Sequence, residues 1–499
     1  MYLFEYLYYY QESIFYIIAY GISVSLISIR QSHEMKYHRH LFETIEAFRS
    51  IKSGQLLRLD NRIDSTEILT EFEADKRQIS FSLQGDKVLD LGYDNLRNST
   101  VTFDNKEYLI ENLFIYRRSP PNYECDFQYC HTAGFEKREK YFYNLVIPLS
   151  KEIRLHDYFF RDSYQNESFT SSNKVSVQLD NITIDACCID DDNNEYFLIL
   201  DASTSVEFAV FSKLAFALIN TISYITGHLA GNVGYYFAYD SQEKEKNQHF
   251  YTVSLRQEII SSYCPFTTNP HSYERDRNIA KTYTNKLKGL TQDQTRALAS
   301  KIYTNQKFEI ALFLMLESSL ASLLFMPGGF AIALETLTSL IIKESIRTKK
   351  KKPINPESLD DIRDELNEVV DKYIEDIDPD HRSSVRKRIE HIDQPTNTTK
   401  LSQAFTILGI ELSKKDLEVI NSRNSFLHGR SPKILTKSSD RSHREINNDL
   451  YYASLRFYTL LNMLILKWIG YEGYVINYPK QQEKYLSLDL NDEEIYRKI

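Results

Sequence analysis

The sequence predicts an α+β front domain with a mostly β core, followed by an all-α helical bundle. Three observations predict this division. Between about residues 40 and 270, short runs rich in β-branched and aromatic residues are broken by Asn, Asp, Ser and Pro, as strands and turns should be. Beyond Ser272 the apolar residues recur at helical spacing. And 499 residues are too many for one ordinary core. The expected domains are a hydrophobic N-terminal segment (1–35), a β-rich sensor or regulatory domain (36–270), a helical domain (271–480) and a tail (481–499).

In the first segment, "IFYIIAYGISVSLISI" (Ile14 to Ile29) carries no charge, yet it is shorter than the ~20 residues a spanning helix needs. Glu5 and Glu12 precede it, unlike the basic start of a signal peptide. Three readings stay open: a membrane anchor, a buried core element, or a stretch upstream of a start at Met35. The front domain then offers "TVTFDN", "YLIENLFIYRR", "YFYNLVIPL", "KVSVQLDNITIDACCI", "EYFLILD" and "NVGYYFAYD" as its clearest strands. One helix interrupts them, Val206 to Gly231, apolar at helical spacing and ending on glycines. In the back half, "TQDQTRALASKIYTNQKFEIALFLMLESSLASLLF" reads as one long helix, broken from the next by Pro327 to Gly329. A basic linker around Lys349 to Lys352 leads to shorter helices, then to "SKKDLEVINSRNSFLHG" with a serine cap, and finally to Arg444 to Tyr471.

Composition bounds the function. A chain 42% hydrophobic and 26% charged folds rather than staying disordered. The formal charge of -9 argues against a general nucleic-acid coat. It is unevenly placed, at about -12 over residues 1–270 and about +3 over residues 271–499. The back half could approach RNA; the front half would repel it. Five scattered cysteines suit a reducing compartment, so the cytoplasm is expected, with membrane association through residues 14–29 as the alternative. "CDFQYCH" (Cys125 to His131) lacks a second half-site for zinc, and "CCIDDDNNEY" lacks the glycine and terminal glutamate of a calcium loop. No metal and no cofactor is expected, and no P-loop, G-x-S-x-G or H-E-x-x-H signature occurs.

The chemistry concentrates in "INSRNSFLHGRSP" (Ile420 to Pro432). An arginine followed five residues later by a histidine occurs twice, at Arg423/His428 and at Arg386/His391, so spacing alone decides nothing. Five residues turn through about 500° of helix, which leaves the two side chains apart unless the helix stops between them. Gly429 and Pro432 signal such a stop after His428, and no comparable break is evident at Arg386. Asn424 shares a helix face with His428. Arg430, Lys433, Lys437, Arg441 and Arg444 follow, opposed only by Asp440 in that loop. Cleaving RNA without a metal needs a group titrating near neutrality and a fixed cation for the developing phosphorane. His428 fits the first role. Arg423 fits the second, because its guanidinium stays charged and can grip two phosphate oxygens. Asn424 would orient the histidine or a phosphate oxygen. The product would carry a 2′,3′-cyclic phosphate, and DNA, lacking the hydroxyl, would be inert.

"RNSFLHG" in the penultimate helix of an all-α domain resembles the R-x4-6-H motif of the HEPN superfamily. With "FAIALETLTSLI" upstream and a long last helix, residues 272–475 are similar to ApeA-like HEPN domains of bacterial anti-phage, abortive-infection proteins. The resemblance implies a helical-bundle homodimer in which two motifs meet to form one metal-independent endoribonuclease site, as in an anti-phage effector or toxin. Carried over, it assigns Arg423, Asn424 and His428 to that site and Glu335 to a supporting position; the basic loop residues Arg430, Lys433, Lys437, Arg441 and Arg444, read from their charge, would contact RNA. The bland alternatives are an interhelical ion pair for Glu335, a helix-capping role for His428 and a loop position for His443. For the whole chain, the alternative is a non-catalytic HEPN module binding nucleotide, RNA or protein. The front domain, under either reading, would answer an unknown trigger.

Overall fold

The computed structural model describes residues 38–51, 53–59, 62–73, 78–84, 97–103, 106–119, 122–159, 173–191, 193–242, 244, 249–268, 277–284, 286–345, 356–392, 397–427, 429–438 and 440–499. Ile14 to Ile29 and the Lys349 to Lys352 linker lie outside them. The chain divides into two compact units, residues 1–305 and 306–499.

The described residues of the first unit begin in a helix, α1 (residues 38–49), where a strand texture was expected. Leu41, Phe42, Ile45 and Phe48 make an apolar stripe along it, and all four are buried. Six antiparallel strands follow: β1 (Ser53–Leu59), β2 (Arg62–Glu73), β3 (Gln78–Gln84), β4 (Arg97–Phe103), β5 (Lys106–Ser119) and β6 (Asn122–Thr132). Each pairs with two neighbours in the order β1-β2-β3-β6-β5-β4, and β4 pairs back to β1, so the ladder closes on itself. β6 uses residues 122–125 for β3 and residues 129–131 for β14 (His249–Ser254), joining this ring to a second stretch of sheet.

That second stretch runs β14, β13 (Val233–Tyr239), β7 (Lys140–Leu149), β10 (Tyr196–Ala202), β9 (Ile182–Asp190) and β8 (Lys174–Leu179). β7, β10, β13 and β14 are buried on both faces, which explains their nearly continuous apolar sequence, whereas β8 and β9 alternate. Alternation sorts them: Tyr235 and Phe237 pack with α1 in one core cluster. Tyr143 turns to the other face and stacks on Phe211 of α2 (Phe208–Thr226), ring centroids 4.9 Å apart. α2 ends five residues short of the expected Gly231, because Gly227 takes the left-handed conformation at φ 68°. It is long and apolar enough to cross a membrane, and most of it is buried in this unit.

"KVSVQLDNITIDACCI" is a hairpin rather than one strand. Asp180 and Asn181 both have positive φ, the geometry of a tight two-residue turn, and Leu179 pairs with Ile182. The acidic stretch after it is the β9–β10 turn, where the Asp191 carboxylate accepts from the backbone N–H groups of Asn193 and Glu195. α3 (Arg277–Tyr283) and α4 (Gln292–Thr304) complete the unit, with α4 packed on α2 and β8. The division therefore falls at Asn305, well past residue 270.

The second unit is built around α6 (Met326–Ser345) and α11 (His443–Trp468), with α5 (Gln306–Leu320), α9 (Asn397–Ile407) and α10 (Lys414–Leu427) packed against them. α7 (Pro356–Lys372) and α8 (Pro379–Glu390) pack on each other. Two expectations fail here. The long helix through residue 325 is α4 and α5, separated where Asn305 is extended at φ -137° and ψ 93°. Pro327 to Gly329 do not break the chain; they form the first turn of α6, where a missing N–H costs nothing. Gly329 lets α6 approach α5 closely there, since a Cβ would press on the Ser318 side chain. Nor are residues 481–499 a tail: Leu486, Leu490 and Tyr496 are buried, and β16 (Tyr474–Ile476) pairs with β17 (Tyr496–Lys498).

Candidate functional site

α10 begins on a reciprocal cap: the Asp416 N–H donates to Ser413 Oγ, and the Ser413 N–H donates to an Asp416 carboxylate oxygen at 2.8 Å. It ends with Gly429 at φ 66°, the N–H of Gly429 donating to Phe426 and that of Arg430 to Ser425. This pair of bonds lets the chain leave α10 through a left-handed turn, as the glycine predicted. His428 lies outside the described residues. The contrast with the second arginine–histidine pair does not hold, because α8 also stops, at Glu390, with His391 as its C-cap.

What distinguishes the two arginines is their environment. Arg386 is exposed and pairs with an exposed Asp371. Arg423 is nine-tenths buried, and its Nη2 lies 2.6 Å from Glu335 Oε1, whose side chain is 39% exposed. Thus two residues 88 positions apart in sequence meet across α6 and α10. Arg423 Nε is buried without a hydrogen-bond partner, as is the Nε of Arg456 in α11, and its single ion pair leaves this guanidinium donor capacity beyond one carboxylate. Asn424, next along the helix, is exposed.

The loop after α10 is unequally basic. Arg430, Lys433 and Lys437 are exposed, as is Arg444 in the first turn of α11. Arg441 is not available in the same way: it bonds the carbonyls of Pro432 and Ser431 and lies 2.6 Å from Asp449, which is fully buried. Asp449 in turn accepts from the Leu435 N–H. Arg441 therefore fastens the loop to α11, a role invisible while Asp440 was taken as the loop's only opposing charge. His443 is the first residue of α11 and is exposed.

A larger charged cluster escaped the sequence reading. Arg456 of α11, 1% exposed, makes a two-pronged contact with Glu493 at 2.7 and 2.8 Å and donates to Tyr452 Oη at 2.9 Å. Beside it, Arg497 grips Asp416 at 2.8 and 3.0 Å, and Asn477 donates to Glu493 at 2.9 Å. Burial would raise the Glu493 carboxyl, but Arg456, Asn477 and Lys415 more than offset it and hold it at about 2. Every carboxylate in this cluster is matched, so it is built for holding. An arginine inside the apolar run of α11 was the one signal that could have found it.

Among the described residues no group of His, Cys, Asp and Glu could hold a metal ion. In "CDFQYCH", Cys130 and His131 are neighbours on a strand and so point to opposite faces. Cys130 is buried in the core, and His131 bonds Glu111 at 3.2 Å. Comparisons of the chain with protein-family models, with curated proteins and with solved structures return no match.

Proposed function

We propose that the helical unit is a metal-independent endoribonuclease of the HEPN type. The observation that carries this reading is the Arg423–Glu335 pair: a buried guanidinium, fixed by one carboxylate and with donor capacity left over, on the helix turn that precedes an exposed asparagine and a basic loop. A cation held in place before the substrate arrives costs no reorganisation when charge develops on phosphorus. In the proposed reaction the ribose 2′-oxygen bonds to the adjacent phosphorus as the bond from phosphorus to the 5′-oxygen breaks. His428 takes up the 2′-OH proton, and the departing 5′-oxygen is protonated. Arg423 balances the charge on the phosphorane, Asn424 orients a phosphate oxygen or the histidine, and Arg430, Lys433, Lys437 and Arg444 attract the backbone.

Such an enzyme would damage its own cell, so we place it as a restrained cytoplasmic effector of anti-phage defence or a toxin, active as a homodimer. The acidic first unit would answer the trigger. Incubating wild type, Arg423→Ala and His428→Ala with labelled RNA in EDTA tests the chemistry. Wild-type cleavage leaving 2′,3′-cyclic phosphate ends, absent in both variants, is the expected result; cleavage by His428→Ala would remove the histidine from the mechanism.

A second reading, a non-catalytic module for RNA, nucleotide or protein, has one observation in its favour. Glu335 already neutralises Arg423, as a purely structural interhelical pair would. RNA that binds but is not cut, by protein carrying any candidate trigger, would favour it.

A further inference from the structure

Arg444, Asn447, Asn448 and Tyr451 fall at i, i+3, i+4 and i+7 of α11, so they share one face over its first two turns. That face lines an open cavity of about 690 Å³. Gln482 and Tyr485, from the short helices α12 (Tyr478–Gln481) and α13 (Glu483–Leu486) and the turn between them, line it too, and Leu323 adds an apolar wall. The volume is that of a small-molecule site, within the roughly 300–1,000 Å³ such sites occupy.

Four of the polar side chains around it have their hydrogen-bonding groups uncommitted. Among the described residues, neither the Arg444 guanidinium nor the amides of Asn447, Asn448 and Gln482 make a hydrogen bond or ion pair. This differs from Asp449 and Arg456 further along α11, whose charges are paired with Arg441 and Glu493. Tyr451 and Tyr485 meet edge to face, ring centroids 5.7 Å apart and planes at 80°. Tyr485 is 72% exposed, which leaves aromatic surface open to a planar ligand.

These features select a ligand class. Three amides offer donors and acceptors side by side, the pattern that reads the edge of a heteroaromatic ring. The tyrosine supplies a stacking surface. One cation with no carboxylate in the lining favours an anion, and Arg444 sits in the first turn of a 26-residue helix, whose positive end favours it further. A purely apolar ligand would strand the amides, and the lining has no carboxylate, thiolate or imidazole for a metal. We propose that this cavity binds one nucleotide, its base stacked on Tyr485 and read by Asn447, Asn448 and Gln482, its phosphate held by Arg444. The nucleotide is either free or one residue of a single-stranded RNA; only the latter rests on the ribonuclease reading, as a substrate-binding subsite.

The test uses the full-length chain. Calorimetry with AMP, GMP, CMP and UMP addresses the free nucleotide, and anisotropy with a labelled 2′-O-methyl oligoribonucleotide, whose blocked oxygen cannot attack, addresses the chain residue. Saturable binding of one probe is expected, weakened about 5- to 150-fold by Tyr485→Ala and preserved by Tyr485→Phe. Asn448→Ala should blur discrimination among bases, and Arg444→Gln should lower the salt slope of oligonucleotide binding by about one. All three positions are exposed or half-buried, and a circular dichroism melt verifies that the variants fold. Failure of every probe to saturate overturns the inference, as does wild-type affinity in both Tyr485→Ala and Asn448→Ala. Nucleotide binding without RNA cleavage leaves this inference standing, whether the ribonuclease is restrained or absent.

Discussion

Arg423 and Arg456 are both buried in the same unit, and both answer to α10. Asp416, in the first turn of that helix, belongs to the Arg456 cluster, while Arg423 lies two turns further on. Arg456 has two carboxylates and a phenol around it. Arg423 has one carboxylate, itself more than a third exposed. A cation enclosed by matched partners can only hold structure together, whereas one with a single, solvent-facing partner can exchange that partner for another anion. The difference in partners, rather than in burial, separates a strut from a candidate reacting group.

The largest expected effect breaks the strut. Arg456→Ala strands Glu493 and Asp416 without its charge and should cost about 3–5 kcal/mol of stability, read by urea unfolding. A loss under 1 kcal/mol would show that Arg497 and Lys415 carry the cluster alone. The same network sets a pH dependence. The folded-state Glu493 carboxyl lies at about 2 against an ordinary 4.5, so its stabilising contribution is complete above 4.5 and is lost as pH falls towards 2. The melting temperature should fall through that window in the wild type and fall less in Glu493→Gln.

Arg423→Ala should behave differently, lowering stability by only about 1 kcal/mol, since Glu335 can turn to water. RNA cleavage should drop at least about 10²- to 10³-fold, the usual cost of removing a charge-stabilising donor. Arg423→Lys, which keeps the charge but loses the planar fork, should fall between the two. A large stability loss in Arg423→Ala would erase the distinction drawn above. The smallest effect belongs to Arg386→Ala, whose exposed pair with Asp371 should leave stability within about 0.5 kcal/mol and cleavage unchanged.

The β-rich front and helical back were legible because each strand and helix carries its own periodicity. The stripe Leu41, Phe42, Ile45 and Phe48 carried the same signal for α1, but it sits between a hydrophobic N-terminal sequence and a strand-rich stretch that set the local expectation. Partnership was far less legible. Glu335 and Arg423 could be named separately, yet only the packing of α6 on α10 makes them a pair. Arg441 looked like a free loop cation because Asp449, its counter-charge, is read from sequence as part of the next helix. Glu493 looked like tail composition until the chain folded back to Arg456. Charges separated by tens of residues leave no periodic trace, so the site residues were nameable and their roles were not.

The ring of β1 to β6 has one more consequence. Because its ladder returns to its first strand, each of those six has a neighbour on both sides over part of its length, which shortens any row of unpaired N–H and C=O groups open to another chain. The sheet leading from it ends at β8, the strand on that path with a single neighbour, and α4 lies against β8. Lys174 at the start of β8 adds a charge to that border. Among the described residues, the closed ring and the covered β8 border leave the large sheet less template for edge-to-edge aggregation than its strand content alone suggests.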